Sequence, residues 1–549
     1  MSTVTRDMFE AARSSTRGLN VGTVTDPLRM TWGEVHEQAR RMGGALAGRG
    51  IGRHGSVAVL AAGAADVAPL AQAIWMRGAS LTMLQQPTPR ADLTVWIEDT
   101  VRAIRMIGAE VVVVGEPFLA VMDHLATRSV AVCTVESLRA AEPVEPEDPD
   151  ESSIAMRQLT SGSTGIPKAV EISHANLAAN AIAIAAGLAV DVDRDVMLSW
   201  LPLSHDMGMV AFICFPMQLG IEAVVITSDQ FLRRPIVWAE LIGKYRATIT
   251  SGPNFAYSIL ARVLEGRDPN AADAIDLSSL RIACNGAEPV DHRDLERFAT
   301  VGARFGLRPA APMPSYGLAE ATLGVSFHAH DEPPVVDVVS RTSVSESHYA
   351  KPNQADAADA QHIVCLGVPL PGMEVRITRG STALGVREIG EVELRGPAVA
   401  KRYLTVEGIV PLRGDDGWFD TGDLGYLDEQ GRVYVCGRTK DVIVLAGVNL
   451  YPHDIERAAA TVDGVRKGCV IALRRDPESG GGEREGFVVL AEANTANEAE
   501  ARLRISREIT AQVSRHIGHA PREVRVLPPG ALPKTSSGKL RRTSARTLL

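Results

Sequence analysis

Between Arg157 and Lys168 the chain reads Arg-Gln-Leu-Thr-Ser-Gly-Ser-Thr-Gly-Ile-Pro-Lys. An apolar lead-in opens into Thr160, Ser161, Gly162, Ser163, Thr164 and Gly165, and Lys168 follows. Glycines let backbone amides turn toward an anion, and hydroxyls add donors. The lysine brings a mobile positive charge. Such a segment suits the gripping of a polyphosphate. It is not a P-loop, which needs Gly, four residues, then Gly-Lys-Ser/Thr. Four more strings carry polar groups in short, glycine-marked runs. They are Ser315–Glu320 (SYGLAE), Trp418–Gly425 (WFDTGDLG), Gly437–Asp441 (GRTKD) and Pro533–Leu540 (PKTSSGKL).

These strings need a frame. The spacing Val35, Ala39, Met42, Leu46 predicts a helix over Trp32 to Gly48. Ser56–Ala61 and Glu110–Val114 read as short buried strands, with a helix from Val67 to Gly78 between them. Helix alternating with apolar strand predicts a parallel, doubly wound α/β sheet. An apolar strand, Leu280–Cys284, leads into Asn285-Gly286-Ala287-Glu288-Pro289. Val196–Ser228 reads as buried strand, loop and helix, broken by Pro202, Asp206 and Pro216. Asp331–His362 is polar and proline-marked, and reads as a long loop or insertion. Beyond it, Glu391–Leu394 and Arg432–Val435 alternate like antiparallel strands. The expected division is 1–439 and 440–549, the second a compact α+β module.

Composition sets limits. With 549 residues and 45% hydrophobic content there is material for large cores and more than one domain. A net charge of −9 argues against general nucleic-acid binding. The charge is uneven: 440–549 holds 18 Lys/Arg and 13 Asp/Glu, hence +5, and the remainder is −14. That fits either an acidic partner for the small module or ordinary surface variation. Six scattered cysteines without a Cys-x-x-Cys pair fit a reducing cytosol, so a cytoplasmic location is expected. No stretch reads as a membrane span.

The five strings, in this order, resemble the adenylate-forming superfamily of acyl-CoA synthetases, peptide-synthetase adenylation domains and luciferases. The resemblance runs from Thr31-Trp32 to Arg542. It implies a large N-terminal domain of doubly wound sheets with a small β-barrel-like subdomain, and a small mobile C-terminal domain. It also implies ATP and Mg²⁺. Thr160–Gly165 and Lys168 would hold the β- and γ-phosphates, and Glu320, at the start of a helix after the Tyr316-Gly317 turn, would bind the metal. Tyr316 would pack on adenine, beside the backbone of Gly286, Ala287 and Glu288. Asp423 would take the ribose hydroxyls, a task suited to a carboxylate, and Arg438 would also reach the nucleotide. Lys539 matches the catalytic lysine, an ammonium placed to stabilise charge building between carboxylate and α-phosphate. Lys440 matches the hinge about which the small domain rotates.

Trp200-Leu-Pro-Leu-Ser-His-Asp-Met-Gly208 resembles a string of the fatty-acyl-AMP ligases, which pass fatty acids to acyl-carrier proteins. Asn449–Glu456 and the stretch from Cys365 to Arg376 agree with that branch, and Asp331–His362 lies where it carries an insertion. Pro253–Tyr257 and Ser536–Arg542 are similar to the mycobactin-type acyl-carrier ligase. On this resemblance His205 would sit near the carboxylate and α-phosphate, and Met209, Phe212 and Ile213 would line an acyl tunnel, with plain core as the alternative. Ser204, where an aromatic is common, and Ala446-Gly447-Val448, in place of an arginine-rich run, depart from the pattern. The expected reaction is fatty acid plus ATP to acyl-AMP and pyrophosphate, then transfer to the phosphopantetheine thiol of a carrier protein. Transfer to CoA, activation of an amino or aryl acid, and a catalytically idle interaction module are the alternatives.

Overall fold

The computed structural model describes residues 1–87, 92–128, 130–147, 149–161, 167–271, 275–445, 448–475, 486–534, 538 and 540–549, with backbone only at Ser161. Two large sheets form the frame. One has nine strands, and six of them run parallel in the order Pro312–Gly317, Ile282–Asn285, Ile249–Gly252, Val196–Ser199, Glu222–Val225 and Gly18–Gly22. Antiparallel strands close both of its edges. The other has eight strands, with Ile154–Ser161, Ser80–Met83, Ser56–Leu60, Val111–Val114 and Val132–Thr134 parallel. The all-valine strand Val111–Val114 is buried throughout, as expected of a central strand covered on both faces.

The helices obey local rules. Thr31 caps Trp32–Ala47: its hydroxyl accepts from Glu34 N at 3.1 Å, and its own N–H donates to Glu34 Oε2 at 2.7 Å. Ser173 and Asn176 repeat this reciprocal cap at His174–Gly187. Helix Ala64–Met76 buries residues on every side and lies within the main core, as an apolar helix must. The expected helices at 32–48 and 67–78 and the strands at 56–61 and 110–114 are all present within a few residues.

Two more sheets complete the body. A five-stranded antiparallel sheet contains Gly390–Arg395, Phe419–Leu427 and Val433–Arg438. A two-stranded ribbon pairs Val336–Ser340 with Ala360–Val364. The polar stretch Asp331–His362 is therefore not only loop. Its ribbon is anchored where Asp337 accepts from Tyr426 OH at 2.6 Å and from Arg387 Nη1 at 2.8 Å, while Val339 and Val344 pack with Tyr426 and Tyr434.

A separate core holds the C-terminal part. Ile443, Ile455, Phe487, Ile505 and Val526 pack together between the three-stranded sheet Val465–Arg475, Gly486–Ala493, Glu523–Leu527 and the helices Pro452–Ala460 and Ala499–Ile517. Among the described residues no helix is long and apolar enough to cross a membrane.

One buried titratable group makes the fold pH-sensitive. His174 is fully buried, its Nδ1 3.0 Å from Ser2 Oγ. Burial pushes its pKa down from 6.5 to about 4. The folded chain keeps His174 neutral, whereas the unfolded chain protonates it below 6.5. The stability it contributes is full above pH 6.5 and is lost as pH falls toward 4. His174→Gln is expected to flatten part of the fall in melting temperature between pH 7 and 4.5. An unchanged slope would contradict this.

Candidate active site

The carboxyl ends of the large sheet's parallel strands open into a cavity of about 2640 Å³. Segments that follow Val196–Ser199, Ile249–Gly252 and Ile282–Asn285 line it, as does the end of Pro312–Gly317. This is where open α/β sheets bind ligands. The hairpin Ile154–Ser161/Pro167–Ser173 presents Thr160 and Lys168 to the same space.

At one pole lies a buried carboxylate. Asp423 is 4% exposed. Tyr316 OH donates to its Oδ2 at 2.6 Å, and Arg438 Nε lies 2.9 Å from its Oδ1. Strands Phe419–Leu427 and Val433–Arg438 pair Asp423 directly with Arg438, so sheet register sets the ion pair. Burial pushes the Asp423 carboxyl above its ordinary range, and Arg438 works against that. The neighbouring Asp423 charge raises Arg438, and burial followed by Asp423 raises Tyr316. Lys440, two residues on, lies in the short turn Thr439–Asp441; burial and then Arg438 hold its pKa down.

A second pole sits around Glu320. Lys168 Nζ lies 3.7 Å from Glu320 Oε1 and 3.8 Å from the centre of the Tyr403 ring. Tyr403 OH donates to the same Oε1 at 2.7 Å. The helix expected to start at Glu320 is a single 3₁₀ turn. It spans only Ala319–Ala321, because the chain returns at once as strand Gly324–Phe327 against Pro312–Gly317. Burial, then Glu320, pushes the Tyr403 hydroxyl well above its ordinary pKa, so it stays a donor.

The donor set fits a nucleotide with Mg²⁺. That ion takes one or two carboxylates and completes its shell with phosphate oxygens and water, and Glu320 faces the cavity beside a lysine. Thr160 Oγ1 is buried on the cavity wall without a partner among the described residues. Ala287 stands at φ 68°, a conformation uncommon outside glycine and found where function holds it; it and Glu288 line the cavity. Gly286 lies behind them, where a Cβ would come 2.9 Å from the Ser315 carbonyl oxygen. Gly317 is on the wall beside Tyr316.

His205 caps the short helix Asp206–Met209, its Nδ1 2.5 Å from Asp206 Oδ1, and faces the cavity. Gln158 Nε2 donates to Ser204 O at 2.9 Å, tying this loop to the hairpin that carries Thr160. The apolar run divides. Phe212 faces the cavity, with Ala211 and Phe215, but Met209 and Ile213 are packed into the core and do not line it. The π-helical turn Val210–Cys214 shifts the helical phase here. Gly162, Ser163, Thr164, Gly165 and Lys539 lie outside the described residues, as do Ala446 and Gly447 and the side chain of Ser161.

Several residues at this site carry no local signature. Tyr403 reaches Lys168 by strand pairing across the chain. The C-terminal part closes over the cavity with Arg457, Lys534 and Arg541. The ribbon touches both sides. His362 stacks on His292 at 4.5 Å, Gln361 Nε2 donates to Asp454 Oδ2 at 2.7 Å, and Arg341 donates to the His516 carbonyl.

Comparison with known proteins agrees with this geometry. Residues 11–404 match the AMP-binding enzyme family, and residues 454–539 match the AMP-binding enzyme C-terminal domain. The chain belongs to the AMP-binding enzyme family. This AMP-binding enzyme is 48% identical over 550 residues to the Mycobacterium tuberculosis protein Rv1013, named a ligase, with 100% of both chains covered. It is 32% identical over 439 residues to the medium-chain-fatty-acid–[acyl-carrier-protein] ligase TtuA of Teredinibacter turnerae, covering 76% of this chain and 66% of TtuA. A solved structure from work on fatty acyl-adenylate ligases of E. coli and L. pneumophila superposes with a TM-score of 0.89 at 26% identity, covering 100% of this chain and 97% of that one. Members of this family use ATP and form acyl adenylates.

The Asp423 pair yields a test of the fold at this pole. Asp423→Asn removes the charge that Arg438 faces and weakens the acceptor for Tyr316. A stability loss of about 1–3 kcal/mol is expected, read from the denaturant midpoint; an unchanged midpoint would contradict it.

Proposed function

We propose that this AMP-binding enzyme joins the carboxylate of a fatty acid to the α-phosphate of ATP, releases pyrophosphate, and passes the acyl group to the phosphopantetheine thiol of an acyl-carrier protein. One observation carries the reading. A single cavity brings together the Lys168–Glu320 pole, the Asp423–Arg438–Tyr316 pole and apolar side chains that include Leu188, Met197, Phe212, Phe215 and Ile249. Polyphosphate, nucleoside and acyl chain each find a matching surface there. The names of TtuA and of the fatty acyl-adenylate ligases support the same substrate class.

In this reading Thr160 to Gly165 and Lys168 grip the β- and γ-phosphates. Glu320 would hold Mg²⁺ with the phosphates, and the ion would supply charge neutralisation. Tyr316 packs on adenine beside the backbone of Gly286 to Glu288 and Gly317. Asp423 already accepts from two partners, but a carboxylate has about four acceptor positions, so the ribose hydroxyls still find sites on it. Arg438 steadies that carboxylate and reaches the nucleotide. His205 sits beside the reacting carboxylate, with Phe212 at the start of the acyl surface. Lys539 bridges carboxylate and α-phosphate as negative charge builds during attack. Positioning and charge stabilisation of this kind perform most of the work.

The second step needs a thiol at the same place. Residues 440–549 form the mobile unit and Lys440 is its hinge; rotation there exchanges the face serving adenylation for the face serving transfer. The ribbon within 331–362 braces the two parts and favours a tethered carrier over free CoA. The contacts of His362, Gln361 and Arg341 support this.

Incubation with ATP, Mg²⁺ and fatty acids of several lengths, with CoA or with phosphopantetheinylated carrier protein, tests the proposal by mass spectrometry. Acyl-AMP that persists with CoA and is consumed by the carrier is expected. Conversion to acyl-CoA would overturn the acceptor assignment, and no acyl-AMP with any fatty acid would overturn the reaction.

A further inference from the structure

Tyr403 lies on Arg402–Thr405, a short strand between Pro167–Ser173 and the edge strand Gly408–Pro411. The register sets Tyr403 opposite Val170 and Thr405 opposite Lys168. Gly408–Pro411 covers its other side, and the strand is also held by charged groups. Glu171, 4% exposed, takes Arg402 Nε at 2.5 Å and Arg157 Nε at 3.1 Å. The segment just before it also holds the Glu320 turn. Ala400 N donates to Glu320 O at 2.8 Å, and Thr322 Oγ1 donates to Ala398 O at 2.7 Å. The position of Tyr403 is thus over-determined by groups outside the cavity.

From that position one side chain meets both charges of the pole. Its hydroxyl edge donates to Glu320 Oε1 at 2.7 Å, and its ring face lies under Lys168 Nζ at 3.8 Å. The ammonium and Oε1 stand 3.7 Å apart. A lysine and a glutamate left to themselves close to a direct ion pair and spend their charges on each other. Here the ring offers the ammonium a second attractive surface, and the phenol occupies a lone pair of Oε1.

We propose that Tyr403 is a positioning residue for the metal and polyphosphate subsite: its hydroxyl aims the Glu320 carboxylate and its ring holds Lys168 away from that carboxylate. The proposal rests on the reading that Glu320 takes Mg²⁺ and Lys168 takes phosphate. Tyr403 is assigned no direct contact with metal or phosphate. The two halves of the side chain do separable things, so two substitutions take them apart. Tyr403→Phe keeps the ring and removes the donor. Tyr403→Leu removes both.

ATP binding to the full chain, followed by calorimetry in EDTA and across a Mg²⁺ titration, separates these roles without relying on turnover. For Tyr403→Phe, affinity in EDTA is expected to stay within about twofold of wild type, and the Mg²⁺ concentration giving half its effect to rise about tenfold, the loss of one hydrogen bond to a charged group. For Tyr403→Leu, affinity in EDTA should also fall about threefold to tenfold, through loss of the cation–π contact. A merely structural tyrosine would lower the melting temperature of the ligand-free protein and change both quantities together. Wild-type Mg²⁺ dependence in Tyr403→Phe, or identical behaviour of the two variants, would overturn the proposal. Glu320→Gln separates the two readings. If it retains wild-type Mg²⁺ dependence, the metal assignment fails and the role of Tyr403 fails with it. If it loses that dependence while Tyr403→Phe keeps it, only the Tyr403 proposal falls.

Discussion

A carboxylate taken out of water must be paired or it costs several kcal/mol. Asp423 meets that constraint with two partners from different parts of the chain: Tyr316, at the end of a strand of the nine-stranded sheet, and Arg438, at the end of a strand of the five-stranded sheet. The interaction therefore locks two sheets at one point. It also places Arg438 and Lys440 where the chain leaves the main body for the C-terminal core. Whatever moves at that junction moves against a fixed charge.

The other pole is built by the same logic with a looser geometry. Lys168 and Glu320 stand within reach of each other but not in tight contact, with Tyr403 engaging both. A site that receives several negative phosphate charges needs cations not already committed to strong ion pairs. The apolar side chains deeper in the cavity supply the contrast that separates a lipid tail from a nucleotide. Neither pole is made by one element. Hairpin, sheet end, turn and the strand Arg402–Thr405 each supply one group, and the sheets fix the distances between them.

Much of this was legible in the residues. The Thr31–Glu34 cap, the Val111–Val114 run and the alternation at Glu391–Leu394 are local signals, and the elements formed where local physics places them. The strings around Thr160, Tyr316, Asp423 and Arg438 converge on one cavity, as their resemblance implies. What could not be read depends on long-range pairing or helix phase. Nothing near Tyr403 announces that its strand pairs with one more than 200 residues earlier. The ribbon Val336–Ser340/Ala360–Val364 was hidden because its two strands are separated by a long polar stretch and its anchors, Tyr426 and Arg387, come from later in the chain. Met209 and Ile213 look like Phe212 in composition, yet in the π-helical turn Val210–Cys214 and its flank they pack into the core while Phe212 meets the cavity. Glu320 follows a strand that folds straight back, which limits the helix there to one 3₁₀ turn.

The central claim is that this cavity activates a fatty carboxylate on the α-phosphate of ATP, a step that needs neither thiol nor carrier. Exchange of labelled pyrophosphate into ATP measures that step alone. The account predicts exchange that appears only when a fatty acid is added and that proceeds without CoA or carrier protein. ATP binding with no exchange for any carboxylic acid would contradict it.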